Sequence, residues 1–136
     1  MESRVTKAKF EKSKKRFINS FKYAFIGIAT TYKKEQNIKV HTLIAFLVIV
    51  FGFILKISYV EWLTCLTMIG LVITAEIVNT AIETTVDLAS PEIHPLAKQA
   101  KDIASGAVLV SAITSAIIGL IIFVPKLISM IGVLKW

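Results

Sequence analysis

The longest uncharged run in this chain extends from Ile103 to Pro125, which is 23 residues without Asp, Glu, Lys or Arg. A helix needs roughly 20 apolar residues to cross about 30 Å of hydrocarbon, so this run is long enough to span a membrane by itself. The composition agrees, because 55% of the 136 residues are hydrophobic and only 18% are charged, against about 25% charged in soluble domains. The surplus apolar side chains must therefore face something other than water. This argues against a soluble two-domain enzyme, a disordered chain and a disulfide scaffold, and the single Cys65 excludes an internal disulfide.

Two shorter uncharged runs predict two further spans. The run that starts at Val40 reaches the necessary length if His41 and Lys56 lie at the two interfaces. The fourteen residues 62–75 cross only if the helix continues through Glu76 to about residue 82. We therefore predict an all-α integral membrane protein with one membrane domain, 1–136, and transmembrane helices at about 40–57, 62–86 and 98–124.

The positive charge is concentrated before the first span. Residues 1–39 contain eleven Lys or Arg and three acids, and basic residues next to a first span mark its cytoplasmic side. We expect a cytoplasmic N-terminus, a C-terminus outside and a location in the bacterial plasma membrane, with no role in nucleic-acid binding. Residues 1–15 are predicted to be a flexible basic head. Residues 16–34 are predicted to form an amphipathic surface helix, because aromatic and apolar residues recur there at helical spacing.

Acidic and amide side chains form one face of the second span. Glu76, Asn79, Glu83 and Asp87 occupy positions i, i+3, i+7 and i+11, which places them within an arc of about 80° on a helix. An ionisable residue inside a span is costly, and it indicates function by default. Carboxylates without Cys or clustered His suit Mg²⁺, which usually takes one or two carboxylates and completes its shell with water and substrate phosphates.

The beginning of the third span carries a complementary polar set, and Glu35 lies just before the first span. The members of that set are Lys98, Lys101, Asp102 and Ser105. Lysines supply charge for phosphates, so the whole arrangement favours a phosphorylated, Mg²⁺-bound ligand at the cytoplasmic surface, beside a carboxylate at lipid depth that is able to act as a base. Phosphoryl transfer to a lipid hydroxyl fits this arrangement. The chain has neither a P-loop nor a glycine-rich protein-kinase motif.

Other interpretations stay open at this point. Glu76 alone could be a structural partner for a neighbouring span, and Lys101 and Asp102 could form a local salt bridge. His41 and His94 are more typical of interfacial or loop histidines than of ligands. A small proton-coupled exporter would explain Glu76 but not the other acids, and a non-catalytic membrane assembly factor would tolerate replacement of all of them.

Two segments resemble the small prokaryotic diacylglycerol kinase family. They are E-I-V-N-T-A-I-E-T-T-V-D, from Glu76 to Asp87, and H-P-L-A-K-Q-A-K-D-I-A-S-G-A-V-L-V, from His94 to Val110. The pattern E-x-N-x-x-x-H at residues 35–41 resembles the Gram-positive branch, which implies undecaprenol as the acceptor; diacylglycerol is the alternative.

This resemblance implies a fold, an assembly and a set of site residues. It implies a homotrimer of three-span subunits with a surface helix, whose active sites lie at the membrane interface between neighbouring chains. It makes Glu76 the catalytic base, with Glu35 and Glu83 as ligands of Mg²⁺. Further positions that it places in the ATP site are Arg16, Asn79, Asp87, Lys101, Asp102 and Ser105. Asn19 departs from the family, where a Lys is found in the diacylglycerol branch.

Overall fold

The computed structural model describes the backbone of residues 2–133 and the side chains of residues 13–132. Four helices account for most of this range: α1 at Glu2–Lys34, α2 at Asn37–Ile54, α3 at Tyr59–Ala89 and α4 at Pro95–Val133. The part of the chain that the structure describes contains no strand, which confirms the all-helical expectation. Helices α2, α3 and α4 are each long and apolar enough to cross a membrane, in agreement with three predicted spans.

Helix α1 lies in a unit of its own, which ends at Lys34. The prediction started this helix at residue 16, whereas the structure continues it back to Glu2. The reason is local, since residues 2–15 lack Gly and Pro and contain five Lys and two Glu, which favour helix. Phe17 and Phe21 pack edge to face with ring centroids 5.1 Å apart. The flexibility of the head and the surface location of the helix stay predictions.

The second unit contains α2, α3 and α4, and α3 contacts both of the others. Its buried core is small and is centred on Ile57, Cys65 and Ile122. Most large apolar side chains of these helices are exposed, including Leu43, Phe46 and many others. A soluble protein would not expose so much contiguous apolar surface, so these faces fit contact with lipid.

The turn between α2 and α3 is tight and well capped. Lys56 has a φ of 49°, and the amide of Ile57 donates to the carbonyl of Gly52 at 3.1 Å, as in a Schellman C-cap. Ser58 then caps α3: Glu61 N donates to Ser58 Oγ at 3.4 Å, while Ser58 N donates to Glu61 Oε2 at 2.6 Å. These reciprocal bonds form a capping box, which fixes where α3 begins.

Helix α4 returns antiparallel to α3 and closes this end of the unit. Lys126 Nζ lies 3.2 Å from Glu61 Oε2, so the end of α4 meets the beginning of α3. The prediction ended this span at about residue 124, but the helix continues through Pro125 to Val133. A proline inside a helix removes one backbone hydrogen bond and its ring crowds the carbonyl four residues earlier, but α4 continues past Pro125 without ending.

Candidate active site

The predicted polar face of α3 is present, and its members differ in burial. Because α3 is one continuous helix, Glu76, Asn79, Glu83 and Asp87 share a side of it. Glu76 is 1% exposed and Asn79 is 7% exposed, whereas Glu83 is half-buried and Asp87 is exposed. The face therefore leads from an enclosed carboxylate to the open end of the helix.

Asn79 connects the buried and the accessible parts of this face. Its Nδ2 donates to Glu83 Oε1 at 3.0 Å, which orients the Glu83 carboxylate. Its Oδ1 is buried and has no hydrogen-bond partner among the described residues. A buried carbonyl oxygen without a donor is costly, so this atom is suited to a donor or a cation supplied by a ligand.

Glu76 has a close neighbour on α2 that we did not predict. His41 Nε2 lies 3.2 Å from Glu76 Oε1, but the contact is not aligned as a hydrogen bond, and Oε1 has no aligned donor within the described side chains. The sequence contained a signal for this residue, because His41 ends the E-x-N-x-x-x-H pattern. That pattern indicates the branch of the family, but spacing along α2 does not reveal which residue of α3 faces His41.

Two other predicted residues meet across the α3–α4 connection. Lys101 Nζ lies 2.8 Å from Asp87 Oδ1, so it joins the end of α3 to the beginning of α4. The alternative of a Lys101–Asp102 pair is wrong, since Asp102 pairs with Lys98 at 2.7 Å on the exposed surface of α4. Ser105 is exposed and lies one turn after Lys101. Lys101 therefore remains beside the acidic face, whereas Asp102 is engaged along its own helix.

Glu35 also belongs to this group of charges. It is half-buried and lies just before α2. Glu35 and Glu83 each interact electrostatically with both Glu76 and Lys101. The second unit thus places three carboxylates and one lysine within electrostatic reach of one another. Arg16 lies on α1, in the other unit of the chain, so its place in the site stays a prediction.

The oxygen atoms of this site fit Mg²⁺. Within the described residues, no group of three or more His, Cys, Asp or Glu side chains could hold a metal. Mg²⁺ does not require such a cage, since one or two carboxylates suffice when water and phosphates complete the octahedron. Glu35 and Glu83 supply two carboxylates, and the unpartnered Asn79 Oδ1 is a third hard oxygen nearby on the same face as Glu83.

An apolar cavity of about 650 Å³ lies between α2, α3 and α4. His41 is the ionisable residue in its lining, and the remaining lining residues are almost all aliphatic or small. Ser115 and Gly119 line it as well, and together with Ala107 and Ser111 they form a stripe of small residues, one every four residues, along α4. The cavity and the carboxylate of Glu76 thus share one neighbour, the imidazole of His41.

This geometry defines the class of protein. It is a helical membrane protein that has an enclosed carboxylate in one span and lysine and acidic groups at the end of that span. A model of the prokaryotic diacylglycerol kinase family matches residues 22–123. The chain is 48% identical over 112 residues to the undecaprenol kinase of Bacillus subtilis, covering 82% of this chain and 91% of that protein.

More distant relatives are named diacylglycerol kinases. The one from Synechocystis is 36% identical over 82% of this chain and 64% of its own length. The one from Escherichia coli K12 is 29% identical over 75% of this chain and 84% of its own length. The chain therefore belongs to the prokaryotic diacylglycerol kinase family. It is a membrane-associated lipid kinase with ATP as its co-substrate. The interpretations as an exporter and as an assembly factor are therefore wrong.

Proposed function

We propose that this protein transfers the γ-phosphate of ATP to the hydroxyl of undecaprenol and produces undecaprenyl phosphate. The observation that carries this proposal is the enclosure of Glu76 within an apolar span, on the same face as Glu83 and 3.2 Å from His41, which lines the apolar cavity. Glu83 is about 10 Å farther along α3, because seven residues each rise 1.5 Å. A lipid hydroxyl and a nucleotide can therefore approach the same face from opposite directions.

Glu76 is the general base in this proposal. It accepts the proton of the lipid hydroxyl while the hydroxyl oxygen forms a bond to the γ-phosphorus. The bond from that phosphorus to the β–γ bridging oxygen breaks at the same time, and ADP leaves. A carboxylate suits this role because the phosphoryl group needs positioning and charge neutralisation more than covalent help from the protein.

The other residues hold the nucleotide. Glu35 and Glu83 bind Mg²⁺, and Asn79 keeps Glu83 oriented through its 3.0 Å hydrogen bond. When bound, Mg²⁺ neutralises charge on the phosphates during transfer. Lys101 lies 2.8 Å from Asp87, which holds the ammonium group at the end of α3 for a phosphate oxygen. The remaining contacts to ATP are assigned to Arg16, Asp102 and Ser105.

The acidic and basic cluster faces the cytoplasm in this proposal. Lys33 and Lys34 are in the last turn of α1, directly before Glu35, and basic residues beside a first span favour the cytoplasmic side. Three antiparallel spans then place the end of α4 outside, together with the Glu61–Lys126 pair. Such a protein would lie in the bacterial plasma membrane with its N-terminus inside.

The assembly that we propose is a homotrimer. Gly119 lines the cavity between α2, α3 and α4, and a methyl group added there would meet no described atom within 4 Å, so no helix of the same chain packs closely against this part of the small-residue stripe. Small residues on a span allow another helix to approach closely. Cross-linking in membranes, followed by gel electrophoresis, should give a ladder that ends at three subunits.

The test of the function is a side-by-side assay with the two candidate lipids. Purified protein in mixed micelles receives radiolabelled ATP, Mg²⁺ and either undecaprenol or diacylglycerol at equal mole fraction. We expect labelled lipid with both, and a higher kcat/KM for undecaprenol. The names of the more distant relatives favour diacylglycerol as a second candidate, and a higher kcat/KM for diacylglycerol would establish that alternative.

A further inference from the structure

The contact between His41 and Glu76 is not used by the proposed reaction. The two side chains belong to different helices, and their closest nitrogen and oxygen atoms are 3.2 Å apart. The exposed fraction of the side chain alone is 22% for His41 and 2% for Glu76. A general base must present its carboxylate in a fixed direction, so Glu76 needs a neighbouring group that orients it.

Glu76 needs a compensating neighbour at this depth. A buried carboxylate is costly unless a hydrogen-bond donor or an opposite charge accompanies it. The neighbouring carboxylates of Glu35 and Glu83 repel it. The hydroxyl of Thr80 is also close in sequence, but it donates to the backbone carbonyl of Glu76 at 3.0 Å rather than to the carboxylate.

We propose that His41 is the positioning residue for the Glu76 carboxylate. The imidazole Nε2–H donates to Glu76 Oε1, so that the second carboxylate oxygen is left to receive the proton of the lipid hydroxyl. In the free protein this contact is short but not aligned. Catalytic hydrogen bonds are often poorly aligned before substrate binds, and they tighten in the Michaelis complex.

The apolar cavity connects the contact between His41 and Glu76 to the lipid acceptor. His41 lines the apolar cavity between α2, α3 and α4, so a lipid chain that enters there touches the ring that holds the base. The inference rests on the proposed function of Glu76 as the base, but it does not depend on which lipid is the acceptor.

The kinetic test compares His41→Leu with His41→Gln, because Leu removes the donor and Gln retains an N–H. We expect His41→Leu to lower kcat on the order of 10- to 100-fold, the scale of displacing a catalytic group by up to about 1 Å. The KM for ATP should stay within about twofold, since His41 is not assigned to the nucleotide. His41→Gln should recover a larger part of kcat than His41→Leu.

The chain offers a matched control in its second histidine. His94 is exposed, and its Nδ1 accepts a hydrogen bond from Leu96 N at 3.2 Å in the connection before α4. His94→Gln should leave kcat and both KM values unchanged. A wild-type kcat in His41→Leu, or a Gln variant no better than the Leu variant, would overturn the proposal.

A spectroscopic measurement covers the case in which His41→Leu does not fold. In the His94→Gln protein, purified without a polyhistidine tag, His41 is the single histidine, so its imidazole ¹⁵N resonances are identified directly. Adding Glu76→Gln should shift the Nε2 resonance, because the hydrogen-bond acceptor changes. Identical spectra would contradict the contact. This measurement needs no lipid substrate, so it stands even if the wild-type protein phosphorylates neither undecaprenol nor diacylglycerol, the result that would refute the proposed function.

Discussion

The turn between α2 and α3 provides a sharp test of the packing, through the substitution Gly52→Ala. A Cβ atom at Gly52 would lie 2.8 Å from Trp62 Cη2 and 2.9 Å from Trp62 Cζ2, with Ile57 Cδ1 at 3.2 Å. Carbon atoms in good contact are about 3.5 to 4.0 Å apart, so the indole would have to move by roughly 0.6 to 1 Å. The Trp62 ring also packs on Phe53, with ring centroids 4.9 Å apart, so this movement would disturb a second contact.

The magnitude follows from two opposing effects. Overpacking a well-packed site costs about 1 to 3 kcal/mol, whereas replacing Gly by Ala within a helix gains about 1 kcal/mol. Gly70→Ala is the matched control, since a Cβ there would meet no described atom within 4 Å. The difference in unfolding free energy between the two variants therefore isolates the clash, and we expect Gly52→Ala to be about 1 to 3 kcal/mol less stable than Gly70→Ala.

The assay is equilibrium unfolding in mixed micelles with increasing SDS, followed by circular dichroism and tryptophan fluorescence. Lipid kinase activity of the folded fraction should be the same in both variants, because Gly52 is near the Glu61 end of the unit and the proposed active site is at the Asp87 end. Equal stability of the two variants, or a more stable Gly52→Ala, would refute the packing of Trp62 on this turn.

Three further predictions concern the proposed base, the proposed metal ligand and the left-handed residue of the turn. Glu76→Gln removes the base but keeps the shape of the side chain, so turnover should fall by about 10²- to 10⁴-fold while ATP binding by calorimetry is largely retained; substantial remaining activity would remove Glu76 from this role. Glu83→Ala should raise the Mg²⁺ concentration for half-maximal activity roughly tenfold or more, whereas an unchanged metal dependence would contradict the assignment. Lys56→Gly should raise the unfolding free energy by roughly 0.5 to 1 kcal/mol, because a φ of 49° is unfavourable for a side chain with a Cβ; a loss of stability would contradict this.

The sequence was informative wherever a single helix decides the geometry. The three uncharged runs predicted the spans, and the spacing from Glu76 to Asp87 predicted a shared face because helical periodicity alone places those residues. The boundaries were less accurate at α1 and at the end of α4. A basic segment without Gly or Pro continues a helix as readily as it frays, and Pro125 does not end α4.

Pairs between helices could not be predicted in the same way. The contact of His41 with Glu76 depends on how α2 is rotated against α3, and the pairing of Lys101 with Asp87 depends on the path of the connection before α4. Adjacent residues in sequence, such as Lys101 and Asp102, point in different directions on a helix. Spacing therefore indicated that these groups belong to one region, while the partner of each group required the packed structure.

The balance of charge explains why a divalent cation suits this site. Five acids were predicted near the cytoplasmic interface, and on the second unit two of them are paired with lysines, in the Asp87–Lys101 and Asp102–Lys98 pairs. Glu35, Glu76 and Glu83 remain as interacting carboxylates. ATP would add further negative charge beside them, and like charges in a low dielectric repel strongly. If His41 donates a hydrogen bond to Glu76 and Mg²⁺ binds to Glu35 and Glu83, the three carboxylates and the phosphates can occupy the same site. Removal of Mg²⁺ should therefore weaken the binding of ATP more than the binding of the lipid.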